Sequence, residues 1–319
     1  MPRPTPATAG SKPVLVALLL TLLLALTACG GSSSSAGEDS GSSGASDDAA
    51  WPVTVTGDNG ELTLEEQPEA IVSMSASATE MLFAIGAGPQ VEAVDNTSNY
   101  PEDAPVTDLS AFTPNAEAIA GYSPDLVVLS DDMNGIVDAL GALDIPVLQL
   151  GAAQTLDDSY EQLETLGAAT GHADDAAKVV TDMQDRIDAA LESVGDSGQG
   201  LRVYHELDPT FYSASSSTFI GSVYELFGLE NIADGAEGAA GGYPQLSAEY
   251  VVGQAPDLVV LADTICCEQS AETLAQRPAF DTLPAVQEGR VLEASDDVAS
   301  RWGPRVADFA ESVAETLAG

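Results

Sequence analysis

Two glutamates in this chain stand in nearly identical surroundings. The stretch "NAEAIAGYSPDLVVLSDD" begins at Asn115, and "SAEYVVGQAPDLVVLADT" begins at Ser247, 132 positions later. Each stretch is predicted to form a short capped helix, with Glu117 or Glu249 in its first turn, followed by a buried strand. Two carboxylates on matching surface features could form charge-assisted hydrogen bonds with the arginines of a two-part partner. The helix dipole alone also favours a glutamate in a first turn, so either residue taken singly leaves both interpretations open.

Other residue types that carry chemistry are scarce. The chain has two histidines, His172 and His205, and three cysteines, of which Cys266 and Cys267 are adjacent. Two histidines are too few for the cage of histidines and carboxylates that holds a free metal ion. The G-x-S-x-G motif that carries the nucleophilic serine of many hydrolases is absent from the sequence. We therefore predict that the protein is not an enzyme and has no cofactor and no resident metal. In an oxidising compartment Cys266 and Cys267 could close a vicinal disulfide or remain thiols.

The first 28 residues have the layout of a secretory signal. Basic residues precede the apolar run Val14–Leu26, which is too short for a comfortable membrane span. The run ends in "LTAC", which resembles a bacterial lipobox and implies cleavage before Cys29 and lipid attachment to its sulfur. An ordinary signal peptide with an incidental cysteine is the alternative. Residues 29–51 are rich in glycine and serine and are predicted to form a flexible tether. The protein is therefore expected outside the cytoplasm, lipid-anchored to the cell membrane.

The charge of the chain excludes one class of partner. There are 51 acidic and 9 basic residues, and Arg3 and Lys12 leave with the signal, so the mature net charge is near −44 (51 acids against 7 bases). Such a surface repels phosphate backbones, and nucleic-acid binding is not expected. The acids are spread along the chain, which is typical of a soluble protein in salty or extracellular surroundings.

From Trp51 onward, short apolar strands alternate with helical segments, the pattern of parallel sheets covered by helices on both faces. The first half contains the predicted strands "AIVSM" and "DLVVL", and the second half repeats the plan with "LRVYHEL" and "DLVVLA". The sequence therefore predicts two α/β lobes, at residues 52–172 and 196–319. Residues 173–195 are predicted to form one connecting helix of about 33 Å. In the first lobe, Ser77 and Glu80 are predicted to form a helix-capping box.

Together these features resemble the helical-backbone substrate-binding proteins of ABC importers, the receptors for cobalamin, ferric siderophores and haem. The resemblance rests on "IVSMSASATEMLFAIGAG", "NYPED", the paired "AE…PDLVVL" units and "RVLEASDDVASRWGPR". It implies two Rossmann-like lobes on one long backbone helix, the fold of class III periplasmic binding proteins. It also implies that Glu117 and Glu249 dock into arginine pockets of a permease dimer that works with an ATPase. We expect a monomer that meets the membrane only through its lipid. A surface sensor or adhesion lipoprotein of the same fold is the alternative.

In doubly wound sheets, ligands bind beyond the carboxyl ends of the strands. Residues just after predicted strands are therefore the ligand-binding candidates: Ser77, Thr97, Tyr100, Phe112, Asp132, Glu206, Tyr212, Asp297, Arg301 and Trp302. In the family resemblance, Asp297 and Arg301 match an acid and a base that contact the corrin in cobalamin receptors. Val298 and Thr97 depart from that pattern, because aromatic residues are expected there. The identity of the ligand stays open among cobalamin, siderophore and haem. We expect Arg305 to pair with acids such as Asp308.

Overall fold

The computed structural model describes residues 51–236 and 241–319. The predicted signal peptide, the lipidation site Cys29 and nearly all of the tether lie outside these residues. Within the described part of the chain, no helix is long and apolar enough to cross a membrane.

The first lobe is built on a four-stranded parallel sheet. The sheet has the order β4-β3-β5-β6. Its strands are β3 (Ile71–Met74), β4 (Val91–Val94), β5 (Leu126–Leu129) and β6 (Val147–Gln149). Its helices are α1 (Ala76–Ala84), α2 (Ala116–Ala120), α3 (Ile136–Gly141) and α4 (Leu156–Thr170). All residues of β3 and β5 are buried, as continuous apolar strands between two helical layers should be. An antiparallel hairpin of β1 (Val53–Gly57) and β2 (Gly60–Leu64) precedes the sheet, and the sequence analysis did not predict it.

The second lobe repeats this sheet. Its order is β10-β9-β7-β8, which is the order of the first sheet written from the other edge. Its strands are β7 (Arg202–Glu206), β8 (Glu230–Asn231), β9 (Leu258–Leu261) and β10 (Val291–Glu293). Its helices are α6 (Phe219–Leu226), α7 (Ala248–Gln254), α8 (Ala271–Ala275), α9 (Pro284–Gln287) and α10 (Val306–Ala318).

The two lobes match in register as well as in order. Ile71 pairs with Leu126 in the first sheet, and Val203 pairs with Leu258 in the second. Both members of the second pair lie 132 positions after their counterparts, the spacing that also separates the two "AE…PDLVVL" units. The duplication seen in the sequence is therefore a duplication of the two central strands and of the helix before the second of them.

One helix, α5 (Ala173–Val194), joins the lobes. It packs against α4 on one side and α10 on the other. Its buried face, which includes Val180, Met183 and Ile187, belongs to a core that also takes in residues of both sheets. Each sheet has a separate, smaller core on its other face. Because the shared core runs through the connecting helix, the helix and the lobes are packed together. The predicted fold class of two parallel α/β lobes on a single long helix is confirmed.

Candidate ligand-binding and docking site

The two duplicated glutamates occupy equivalent places on the surface. Glu117 is the second residue of α2, and Glu249 is the second residue of α7; both side chains are exposed. Each helix is capped by the residue predicted to do so: the Asn115 side chain accepts a hydrogen bond from the Ala118 N–H, and the Ser247 side chain accepts one from the Tyr250 N–H. The caps hold each glutamate at the positive end of its helix, where a carboxylate is favoured.

The loop after β10, here called the closing segment (residues 295–305), reaches from the second lobe onto the first. Arg301 donates hydrogen bonds to the Thr97 carbonyl at 2.8 Å and to Asp297 Oδ1 at 2.6 Å. The other oxygen of the Asp297 carboxylate accepts a hydrogen bond from the Asn99 side chain at 2.8 Å. Three predicted ligand-binding residues, Thr97, Asp297 and Arg301, are thus brought together where the carboxyl-end loops of the two sheets meet.

Glu80 anchors the closing segment to the first lobe. Its carboxylate accepts hydrogen bonds from Arg301 Nη1 at 2.9 Å and from Arg305 Nε and Nη2 at 3.0 and 2.5 Å. The Glu80 side chain is 1% exposed, and those of Arg301 and Arg305 are 10% and 17% exposed. Gly303 allows this close approach, because a Cβ at that position would stand 3.0 Å from the Glu80 carboxylate. We call the cluster of Glu80, Asp297, Arg301 and Arg305 the latch.

These contacts correct two predictions. Glu80 does not form a capping box with Ser77; the N-cap of α1 is Ser75, whose side chain accepts a hydrogen bond from the Ala78 N–H. Arg305 pairs with Glu80, whereas Asp308 pairs with Arg186 of the connecting helix. Both misassignments have one cause: the partner of Glu80 lies more than 200 residues away, and local spacing carries no information about it.

Ser77 and Trp302 are also joined across the lobes. The Trp302 backbone N–H donates to Ser77 Oγ at 3.3 Å. The indole N–H of Trp302 donates to the Gln162 side chain of α4 at 2.9 Å. The backbone carbonyl of Trp302 accepts a hydrogen bond from the Ser159 hydroxyl. Trp302 is half-buried against the shared core. It is therefore fixed to the first lobe, although it follows a strand of the second.

The remaining candidates differ in exposure. Phe112 is 69% exposed, and Tyr100 and Tyr212 are 44% and 41% exposed. The Arg305 guanidinium lies 4.1 Å from the centre of the Tyr100 ring, a cation–π distance. Tyr100 also lines a cavity of about 410 Å³ beside the latch. Asp132 is exposed, and its carboxylate accepts a hydrogen bond from the Val137 N–H at 2.9 Å.

Glu206 lies inside the second lobe. Its side chain is fully buried and forms a two-point ion pair with Arg277, at 2.7 and 2.5 Å, and it accepts a hydrogen bond from Tyr204. Asp263, also fully buried, follows β9 nearby. Burial, and next the neighbouring Glu206 carboxylate, raises the pKa of Asp263 to about 7. Since the Glu206 carboxylate is already paired with Arg277, we do not carry Glu206 into the ligand-binding set proposed below.

Cys266 and Cys267 lie in the loop after β9 as free thiols, so the vicinal disulfide left open by the sequence is not formed here. The Cys266 and Ile265 N–H groups both donate to the Asp296 carboxylate, at 2.8 and 2.9 Å, which ties this loop to the closing segment. Desolvation together with hydrogen bonds to Cys267 and Asp296 raises the pKa of the Cys266 thiol to about 12. In the described residues, no cluster of three or more metal-ligating side chains occurs.

Comparison with known proteins identifies the family. Residues 71–298 match the family model described as periplasmic binding protein. The chain belongs to this family. Among curated relatives, a cobalamin-binding protein of Halobacterium salinarum is 32% identical over 269 residues, which cover 81% of this chain and 72% of the relative. An uncharacterized ABC transporter substrate-binding lipoprotein of Bacillus subtilis, YvrC, is 27% identical over 277 residues, 84% of this chain and 86% of that protein.

Solved structures support the fold of this periplasmic binding protein. The vitamin B12-binding protein BtuF of Vibrio cholerae aligns with a TM-score of 0.67 and 25% identity over 79% of this chain and 97% of that one. The haem-binding protein RhuT of Roseiflexus aligns with a TM-score of 0.68 at 21% identity, over 78% of this chain and 97% of that one, a likeness of fold alone. The resemblance noted in the sequence is confirmed, and relatives that are binding proteins support a role other than catalysis.

Two residues of the site were missed by the sequence analysis as contact residues: Glu80 and Gln162. Only Glu80 could have been found from the sequence, because it is the single acidic residue in the otherwise largely apolar helix "ATEMLFAIG". An acid buried in such a helix needs a cationic partner, and Arg301 and Arg305 were available. Gln162 is a polar residue of ordinary appearance, and the sequence held no sign of its partner. Asn99 lies between the candidates Thr97 and Tyr100.

Proposed function

We propose that this periplasmic binding protein captures a cobalamin-like ligand between its lobes and delivers it to an ABC permease. The observation that carries the proposal is the 32% identity with a cobalamin-binding protein across both lobes. We expect the binding set to include Phe112 and Asp132 of the first lobe, Tyr212 of the second, and the region of the latch with Ser77, Thr97, Tyr100 and Trp302. The exposed aromatic rings in this set suit a broad, partly apolar ligand.

The charge of the latch favours cobalamin over an anionic iron chelate or haem. Arg301 and Arg305 are the cations of the predicted site, and both are paired with Glu80 or Asp297. The four side chains carry no net charge, since two arginines face two carboxylates. A ligand with several free carboxylates would have to break these pairs, whereas a corrin with amide side chains and little net charge would not.

Ligand identity is tested by titrating the purified protein with cyanocobalamin, cobinamide, haem and a set of ferric siderophores while tryptophan fluorescence is recorded. Trp302 lies on the closing segment, so a ligand bound there is expected to change its emission. A Phe112→Ala variant should weaken cobalamin binding, and Leu143→Ala, an exposed apolar residue outside the predicted set, is the matched control. Saturable binding of a siderophore or haem with no response to cobalamin would contradict the choice of ligand.

We further propose that Glu117 and Glu249 dock onto the two permease subunits and that a lipid on Cys29 holds the protein at the membrane. The exposed, equivalent positions of the two carboxylates support docking at two points. The double variant Glu117→Arg/Glu249→Arg is expected to abolish uptake and leave ligand affinity unchanged. Charge reversal at two other exposed acids, Glu164→Arg/Glu272→Arg, changes the net charge equally and should leave uptake intact. Normal uptake by the first variant would refute docking through these residues.

A further inference from the structure

One groove on the surface of this protein contains none of the residues used in the proposed function. It lies between α4 of the first lobe, the connecting helix α5 and α6 of the second lobe, and its volume is about 630 Å³. Its apolar surface comes from all three helices: Leu156, Tyr160, Ile187, Leu191 and Leu226. Leu226 is 43% exposed, so part of this apolar lining faces solvent.

The rim of the groove is acidic. Asp157, Asp185, Asp188 and Glu225 line it with exposed side chains, and none of its lining residues is a lysine, arginine or histidine. The field of these carboxylates reaches the apolar floor. Burial, and next the charges of Asp157 and Asp188, raises the pKa of Tyr160 to about 12. The groove therefore combines an apolar floor with a negative potential that no basic lining residue offsets.

We propose that this groove binds a small organic cation with an apolar body, such as an alkyl or aryl ammonium compound. The apolar part would lie on Leu191 and Leu226, and the cationic head would lie among the rim carboxylates and near the Tyr160 ring, whose face attracts cations. The volume falls in the range of small-molecule sites. The α5 residues that line the groove, Gln184 to Leu191, extend along about 10 Å of helix. A groove of that length can hold a small molecule.

Occupancy of this groove would have a mechanical consequence. A ligand seated there contacts both lobes and the helix that joins them, so it stabilises their packed arrangement by mass action. None of the residues that line the groove belongs to the predicted ligand-binding set.

The probe for the test is hexyltrimethylammonium, with tetramethylammonium as the head alone and hexan-1-ol as the apolar part alone. Binding to the purified protein is measured by calorimetry, and the site is located by methyl NMR shifts at Ile187, Leu191 and Leu226. The whole probe is expected to bind more tightly than either part. Asp188→Asn should weaken its binding about fivefold, the ratio for removing one unit charge roughly 4 Å from another in water.

The matched control is Asp182→Asn. Asp182 is another exposed aspartate of α5, and it does not line the groove. Its substitution removes the same charge from the same helix. Equal weakening by Asp188→Asn and Asp182→Asn would show that the probe responds only to the overall acidity of the protein, and would overturn the proposal. So would hexan-1-ol binding as tightly as the cation, or shifts confined to methyl groups outside the groove. Cobalamin affinity is expected to stay unchanged in Asp188→Asn, so failure here and failure of the proposed function can be told apart.

Discussion

Glu80→Gln is the substitution that most directly tests how the closing segment is held. The variant keeps the shape of the side chain and removes the one carboxylate shared by Arg301 and Arg305. Arg301 retains Asp297 and the Thr97 carbonyl, but Arg305 retains only the amide oxygen of the new glutamine, the ring of Tyr100 and the more distant charge of Asp297. An arginine that is 17% exposed then loses the one carboxylate with which it forms an ion pair.

The size of the effect follows from this loss of partners. Breaking a buried ion pair by removing one member costs about 3–5 kcal/mol, because the remaining charge stays buried. We expect the free energy of unfolding of Glu80→Gln to fall by this amount. The matched control is Glu311→Gln. Glu311 also pairs with an arginine, Arg186, but its side chain is 42% exposed and Arg186 keeps Asp308, so we expect a loss of ~1 kcal/mol or less.

Urea denaturation followed by tryptophan fluorescence measures both variants, and the difference in midpoint multiplied by the slope gives the change in free energy. Adding Arg305→Met to Glu80→Gln should recover part of the loss, since the methionine needs no counter-charge. If Glu80→Gln costs no more than Glu311→Gln, the latch does not stabilise the closing segment, and the reasoning from burial is refuted.

Three further predictions concern titratable groups whose pKa is shifted by folding. Because folding raises the pKa of Asp263 to about 7, its contribution to stability falls as the pH rises from about 4 to about 7, by up to ~1.4 kcal/mol per pH unit, and Asp263→Asn should remove that slope in urea titrations. Burial lowers the pKa of His205 to about 3, so its contribution is lost as the pH falls from 6.5 toward 3; His205→Asn should flatten this limb, and unchanged acid sensitivity would contradict it. The alkylation rate of Cys266, measured in Cys267→Ser, should keep rising above pH 9 and should increase at pH 8 in Asp296→Asn; a plateau near pH 9 would show that the pKa of the thiol is not raised.

The sequence by itself was enough to predict the two parallel α/β lobes and their duplication, although not the hairpin of β1 and β2. The buried strand β5 is a continuous apolar run and β3 is apolar except for Ser73. The helices α2 and α7 begin at capping residues that are visible in the sequence. Such features depend on interactions within a few residues, so local patterns predict them. Repetition of the pattern after 132 positions then predicted the second lobe, and the exposed positions of Glu117 and Glu249 agree with the expected surface features.

Only the tertiary structure decided the partners of the polar side chains at the site. Glu80 meets Arg301 and Arg305 across separations of 221 and 225 residues, and Glu206 meets Arg277 across 71. From the sequence, Glu80 fitted a helix cap because it stands three residues after Ser77. Glu206 fitted a ligand-facing position because it stands near the carboxyl end of a predicted strand. Which carboxylate is buried and which is exposed depends on how the closing segment and the helices pack on the sheets. That packing brings together residues far apart in the chain, and no short-range pattern records it.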